Sequence, residues 1–196
     1  NDVQLIVHCN GDAAADAMIS AVRKAVRKYG RKDLRPVMIH AQAIRHDQVD
    51  SMKQLGIVPS YFTAHTYYWG DWHVHETLGR KRAFGMSPMA YTYGKGMVFT
   101  NHTDSPVVPP DMMMLTWTAV NRTSRTGVVV GPSERVSAYV ALQAITRNAA
   151  YQYFEEKSKG TLEVGKLADL VVLDRNPLKA APKTIKDIKV LETIKA

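Results

Sequence analysis

The chain has 196 residues, 45% of them hydrophobic, and a formal charge of +8 from 26 Lys and Arg against 18 Asp and Glu. That is apolar enough for a real core, and it excludes a disordered chain. No apolar run approaches the roughly 18 residues that a membrane-spanning helix needs, and the single cysteine, Cys9, excludes an internal disulfide framework or a multi-cysteine metal knuckle.

The opening Asn1-Asp2-Val3 has neither an initiator methionine nor a basic-then-apolar leader, so a fragment or processed product is expected. Its location is then cytoplasmic or, if a signal was lost, secreted or periplasmic. Val3 to His8 reads as a strand with His8 at its tip. Asp12 is the expected cap of a helix over Ala13 to Tyr29, with Met18, Ile19, Val22 and Val26 on one face and Gly30 as its stop. The run RPVMIHAQ predicts a strand ending at His40, followed by a helix over Asp47 to Leu55 that stops at Gly56. Ile57 to Phe62 is a third strand, followed by the aromatic segment TAHTYYWGDWHVH, expected as a loop. After a helical stretch over Pro88 to Tyr93, GMVFTNHTDSPV supplies a fourth strand ending near Asp104. Helices over Asp111 to Asn121 and Ser137 to Tyr151 follow.

Strands alternating with helices at this spacing predict βα units on a parallel sheet. Beyond Lys159 the Val- and Leu-rich segments GTLEVGKLADLVVLDRNPL and IKDIKVLETIKA, divided by Gly, Asn and Pro, predict a small antiparallel unit. The expected division is therefore 1–158 and 159–196. The basic residues are scattered, with the densest groups at Arg23 to Arg35 and Gly79 to Phe84, and no nucleic-acid-binding motif accompanies them. No specific nucleic acid and no membrane is expected as a partner.

His8, His40 and Asp104 fall at three strand ends. In a parallel α/β barrel those ends form the reactive face. Imidazole and carboxylate suit a divalent ion such as zinc, and a carboxylate beside it can act as general base. Each residue alone reads equally as a structural histidine or a turn-capping aspartate; the three together favour a metal. His65, Tyr68 and Trp69 either line a substrate or pack a long loop onto the body. Asn10 and Asp12 either orient His8 or, for Asp12, only cap a helix. Met112 to Met114 read as core filler. Cys9 and His8, as strand neighbours, point to opposite faces, which argues against a Cys-His nucleophile, and no G-x-S-x-G elbow is present.

The motifs HCNGD (His8 to Asp12), IHAQ (Ile39 to Gln42), PSYFTAHTYYWGDWH (Pro59 to His73), TDSPV (Thr103 to Val107) and GTLEVGKLADLVVLDRNPL (Gly160 to Leu178) resemble the amidohydrolase superfamily. Within it they are similar to the YtcJ-like branch, amidohydrolase family 3, which includes N-substituted formamide deformylases. The resemblance implies the C-terminal half of a (β/α)8 barrel with strands of a flanking β-sandwich, and a hydrolase of carbon-nitrogen bonds other than peptide bonds. It implies His8 and His40 as metal ligands, Asp104 as ligand and proton shuttle, one or two ions with zinc favoured, and an amide-type small molecule as substrate. The family's first-strand His-x-His pair and its bridging ligand have no counterpart here, and HVH at His73 to His75 follows an aromatic segment, not an apolar strand. The expectation is therefore a C-terminal portion, inactive alone, that meets its N-terminal part or else self-associates, because half a barrel leaves sheet edges open. The rival expectation is a noncatalytic fragment serving assembly or anion binding.

Overall fold

The computed structural model describes residues 3–196; Asn1 and Asp2, on which the reading of the chain start rests, lie outside the described residues. Four strands, β1 (Ile6–Cys9), β2 (Val37–His40), β3 (Val58–Tyr61) and β4 (Thr100–Asn101), form a parallel sheet in chain order. Parallel neighbours need crossovers, and helices supply them. The first is α1 (Asp12–Tyr29), which buries Ala15, Met18, Ile19 and Val22, with Val26 packed behind them. Its N-cap is Gly11, one residue before the expected Asp12. The Asp12 carboxylate instead accepts from its neighbour's Ala13 N–H at 3.0 Å and lies 3.8 and 3.7 Å from Arg45 and Arg82.

The second crossover is α2 (His46–Leu55), ended by Gly56 in the left-handed region at φ 70°. Gln48 accepts from the Arg45 N–H at 2.9 Å, and its amide nitrogen donates to the Asp12 carbonyl and the Asp16 carboxylate, both at 2.7 Å. One buried side chain thus caps α2 and ties it to α1.

The aromatic segment is not a loop. It is a string of short helical pieces: α3 (His65–Tyr68), α4 (Gly70–Trp72), a π-helical turn His73–Thr77 and α5 (Gly79–Phe84). Pieces this short carry no 3.6-residue apolar period, which is why a pattern search reads them as irregular. Next come α6 (Met89–Gly94) and α7 (Met112–Asn121), whose cap Asp111 accepts from the Met113 and Met114 N–H groups at 3.0 and 2.9 Å. The helix expected over Ser137 to Tyr151 is broken into α8 (Ala138–Ile145) and α9 (Arg147–Gln152). At the break the Thr146 hydroxyl donates back to the Leu142 carbonyl at 2.7 Å, competing with the helical ladder. The redirected α9 then reaches the sheet, where Asn148 donates to the Phe99 carbonyl and the Thr100 hydroxyl donates to Gln152.

The tail carries one antiparallel pair, β5 (Leu170–Leu173) and β6 (Val190–Ile194); residues 160–166, the start of the segment expected to hold short strands, are bends, turn and irregular backbone. A 3-10 turn at Pro182–Asp187 seats Ile185 and Ile188 against Met113 and Trp117 of α7. Of the three methionines expected as core filler, Met113 is core, Met114 is half-buried and Met112 is exposed. Burying Ile185 fully contributes about 2 to 3 kcal/mol to that contact.

Arg122 follows α7 at φ 51° and is completely buried. Its guanidinium donates to three main-chain carbonyls, those of Val130 (2.7 Å), Ser87 (3.2 Å) and Met86 (2.6 Å). Ser87 N–H in turn donates to the Gln42 carbonyl at 2.8 Å, so this buried cation steadies the segment just past β2. At the other side of the sheet, the outer edge of β1 has no strand partner among the described residues, and Val3, Leu5 and Ile6 are 71, 46 and 51% exposed there. A groove of about 650 Å³ runs beside it, lined by Ala21, Val22, Ala25 and Val26 of α1 and by Leu34.

Candidate metal and substrate site

In the parallel register Cys9 pairs with His40 and His8 with Ile39. A regular pleat sends register partners to the same face, so His40 would follow Cys9 into the buried layer, away from His8. Cys9 is indeed buried, its thiol directed at the Ala14 carbonyl at 3.6 Å, while His8 is exposed. His40 escapes that rule because its backbone is left-handed, φ 70°, followed by Ala41 at 44°. The bend takes it out of the pleat, and its ring meets His8 edge to face with centroids 4.5 Å apart.

Asp104, also left-handed at φ 55°, lies three residues past β4 and brings Oδ2 to 3.9 Å from His40 Nε2. Left-handed conformations at residues with side chains are uncommon, cost of order 1–3 kcal/mol each and cluster at functional sites. Two of the three expected metal ligands carry one, and the three side chains share one end of the sheet.

Around this trio is a ring of aromatic groups. His102 packs 5.1 Å from His40 and stacks on Phe62 at 5.4 Å; His65 sits 4.7 Å from Phe62, 4.8 Å from Trp69 and 6.4 Å from His40. Trp69 touches Tyr68 at 5.6 Å, so His65, Trp69 and Tyr68 form a contiguous wall beside the trio. His73, not expected in the site, is joined to His65 by a 3.2 Å contact between His65 Nδ1 and His73 Nε2. The same His73 nitrogen lies 3.2 Å from the Gln42 amide nitrogen. Asn10 is exposed and Asp12 faces arginines; neither makes a side-chain hydrogen bond to His8.

His102 and His73 are the residues the sequence reading passed over. For His102 a signal existed: it lies two positions before Asp104, in the run NHTD of Asn101 to Asp104, on the same chain segment. For His73 none existed, because its approach depends on the π-helical turn.

Burial keeps these imidazoles uncharged. It pulls His65 down to about 3, helped by repulsion from His73, His40 and His102, and His102 down to about 4. It lowers His40 as well, against the opposing pull of Asp104, and it lowers His73. Neutral imidazole is the form that binds a metal. His40 Nδ1 and His102 Nε2 are buried without a hydrogen-bond partner, an unusual cost for two neighbouring rings. The donor chemistry therefore fits a divalent ion. Among the described residues, however, no set of three or more His, Cys, Asp or Glu side chains is spaced to enclose one. The chain offers a partial donor set.

A parallel sheet with helical crossovers, its strand ends gathering two imidazoles and a carboxylate, defines an α/β barrel-type protein with a polar centre at the mouth. The match to known proteins is specific: the model of the amidohydrolase family Amidohydro_3 matches residues 1–196, and the chain belongs to that family. It is 29% identical to the N-substituted formamide deformylase of Arthrobacter pascens over 97% of this chain and 35% of that protein. The Bacillus subtilis (strain 168) protein named YtcJ is 26% identical over 98% of this chain and 36% of its own. Among solved structures, an uncharacterized metal-dependent hydrolase from Pyrococcus furiosus shares 31% identity with a TM-score of 0.74, covering 90% of this chain and 34% of that one. The chain thus spans about a third of the length of these relatives. Its four-stranded sheet is part of their barrel, with the β5–β6 pair as a small antiparallel unit beside it.

Proposed function

We propose that this chain is the C-terminal portion of a metal-dependent hydrolase acting on carbon-nitrogen bonds other than peptide bonds, of the amide or formamide type. The observation that carries the reading is the convergence of His8, His40 and Asp104, achieved through left-handed backbone at two of them. In this reading residues 1–158 supply barrel and residues 159–196 supply strands of a flanking sandwich. His8, His40 and Asp104 would hold a divalent ion, zinc first by ligand type, in one or two positions. Such an ion supplies Lewis acidity and lowers the pKa of a water it binds from 15.7 toward about 7.

Asp104 takes the proton of the attacking water at its carboxylate and returns it to the leaving nitrogen as the C–N bond breaks. His65, Tyr68 and Trp69 form the wall against which the apolar part of the substrate lies. Asn10, two residues past His8, is the group in this reading that steadies the His8 end of β1, and Asp12 acts at a distance, by fixing Arg45 and Arg82. The remaining donors come from the N-terminal part of the same protein. That reading is supported by the β1 edge, which has no strand partner among the described residues, by the apolar groove beside it, and by the length of the relatives.

The test is made on the full-length protein, with metal content measured alongside hydrolysis of simple formamides and amides. Chelation should abolish turnover and a divalent ion should restore it, while His40→Ala should lose both metal and activity. Full turnover without metal overturns the proposal.

A further inference from the structure

We propose that Asp71 is a positioning residue: through Ser124 and Thr126 it latches the short helices that carry His65, Tyr68 and Trp69 onto the turn at residues 123–129, and so fixes the wall beside the trio. The bearing of the wall on substrate rests on the hydrolase reading above; the latch does not.

The string of short helices has few ties to the rest of the fold. Among the described residues, the main-chain hydrogen bonds of residues 65–77 are all local, to neighbours a few positions away in the chain. Side-chain hydrogen-bond contacts leave the string at two places only, His73 with Gln42 and Asp71 with the turn. Asp71 lies on α4, between Trp69 that caps this helix and His73 that follows it. Its Oδ1 accepts from the Ser124 hydroxyl at 2.7 Å and the Thr126 hydroxyl at 2.6 Å, and its Oδ2 accepts weakly from Thr126 N–H at 3.4 Å. A carboxylate can only accept, so each hydroxyl spends its single proton on Asp71. Burial raises the Asp71 carboxyl, but the Thr126 and Ser124 hydroxyls outweigh it and hold the group below the usual carboxylate range. It is therefore an anion at neutral pH.

The turn is built to receive it. Ser124 is buried; its oxygen accepts from Val128 N–H at 3.1 Å, and its own N–H donates to the Val128 carbonyl at 2.8 Å. Thr123 and Val129 pair as an antiparallel bridge, and Gly127 closes the turn at φ 91°. Arg125, between the two gripping residues, holds its guanidinium 5.0 Å from the Tyr68 ring centre and 5.8 Å from that of Tyr67. One turn thus holds α4 through Asp71 and the wall through Tyr68. The approach is close: a Cβ on Gly70 would lie 3.1 Å from Val130 Cγ2 and 3.2 Å from Ser124 Cβ. Trp69, next to Gly70, touches His65 at 4.8 Å, and His65 is 6.4 Å from His40, so a shift of α4 moves the border of the trio.

The experiment uses the full-length protein. Hydrogen exchange of residues 65–78, read by mass spectrometry, should be about tenfold faster in Asp71→Ala. Asp71→Asn, whose oxygen still accepts from both hydroxyls, should stay close to wild type. Ser124→Ala/Thr126→Val removes the two donors and should match Asp71→Ala, with no further loss when all three changes are combined. On the metal-loaded protein, N-cyclohexylformamide and N-methylformamide probe the wall with a large and a small apolar group. Asp71→Ala should raise KM for the first by about tenfold and for the second by less than about twofold. Gly70→Ala, which keeps the latching groups but presses the turn away, should act in the same direction.

Unchanged exchange in both Asp71→Ala and the double variant overturns the latch. Faster exchange with KM raised alike for both formamides, or for neither, overturns the positioning of the wall. Turnover of neither formamide by wild type sinks the hydrolase reading and the role of the wall in it, while the exchange rates still decide the latch. If Asp71→Ala does not fold, the double variant carries both readouts.

Discussion

Replacing Arg122 with methionine removes a completely buried cation whose three hydrogen bonds all go to main-chain carbonyls. Burial pulls its pKa down to about 10, still well above neutrality, so the group is charged at pH 7. Three charge-assisted bonds contribute about 1.5 to 3 kcal/mol each, and against them stands a desolvation cost of several kcal/mol for the guanidinium. Methionine fills most of the volume, so little cavity is added. What it leaves is the Val130 and Met86 carbonyls without their donor, at about 1 to 3 kcal/mol for each that water cannot reach, while the Ser87 carbonyl keeps the Met89 N–H at 2.7 Å. The expected net loss is about 3 to 5 kcal/mol, the range found when one side of a buried charged network is removed. Urea unfolding of the full-length protein should show it as a midpoint lower by about 2 M, taking a slope of about 2 kcal/mol/M. Arg122→Lys should recover only part, because one ammonium cannot span three carbonyls lying around a planar fork. A loss below about 1 kcal/mol for the methionine variant would refute the idea that these three bonds anchor the segment after β2.

Other expectations follow from the same geometry. Asp104→Asn should lower kcat by about 10² to 10⁴, the usual contribution of a general base, with the fold unchanged by circular dichroism. In the metal-free protein, His65 is neutral down to about pH 3 when folded but takes a proton near 6.5 when unfolded. Stability should therefore be complete above pH 6.5 and fall by about 1.4 kcal/mol per pH unit from this residue below it, seen as a progressively lower melting temperature toward pH 4. Unchanged melting across that window in wild type would contradict the buried neutral ring. Gly131→Ala should be severely destabilising, since its Cβ would sit 2.0 Å from the Phe84 carbonyl oxygen at a left-handed φ of 66°; soluble yield and melting temperature are the readouts.

Much of the scaffold was legible in the residues. The apolar runs ending in His8 and His40 fixed two strands, and the spacing of Met18, Ile19 and Val22 fixed the face of α1. Gly30 and Gly56 marked helix ends as their backbone freedom implies. The limits had physical causes. β4 is only two residues long, so Asp104 reaches the site through a bend, not as a strand tip. Thr146 breaks a helix whose apolar pattern runs straight through it, because the competing hydroxyl bond is local and polar. The meeting of His8 with His40 contradicts their in-register pleat, and only the backbone turn at His40 permits it. His73 enters through a π-helical turn that leaves no periodic trace.

The left-handed backbone at positions 40 and 104 also limits how this centre can change. Histidine, aspartate and asparagine are the side-chain-bearing residues that tolerate that conformation best, whereas β-branched residues resist it. Those tolerated types are also oxygen and nitrogen donors. The main chain therefore defines a small interchangeable alphabet at both sites: His40→Asp or Asp104→His exchanges one donor for another with little backbone cost, whereas valine or threonine would disturb the bend itself. On the proposed hydrolase reading, donor swaps at these two places are a route for retuning ion preference at little backbone cost.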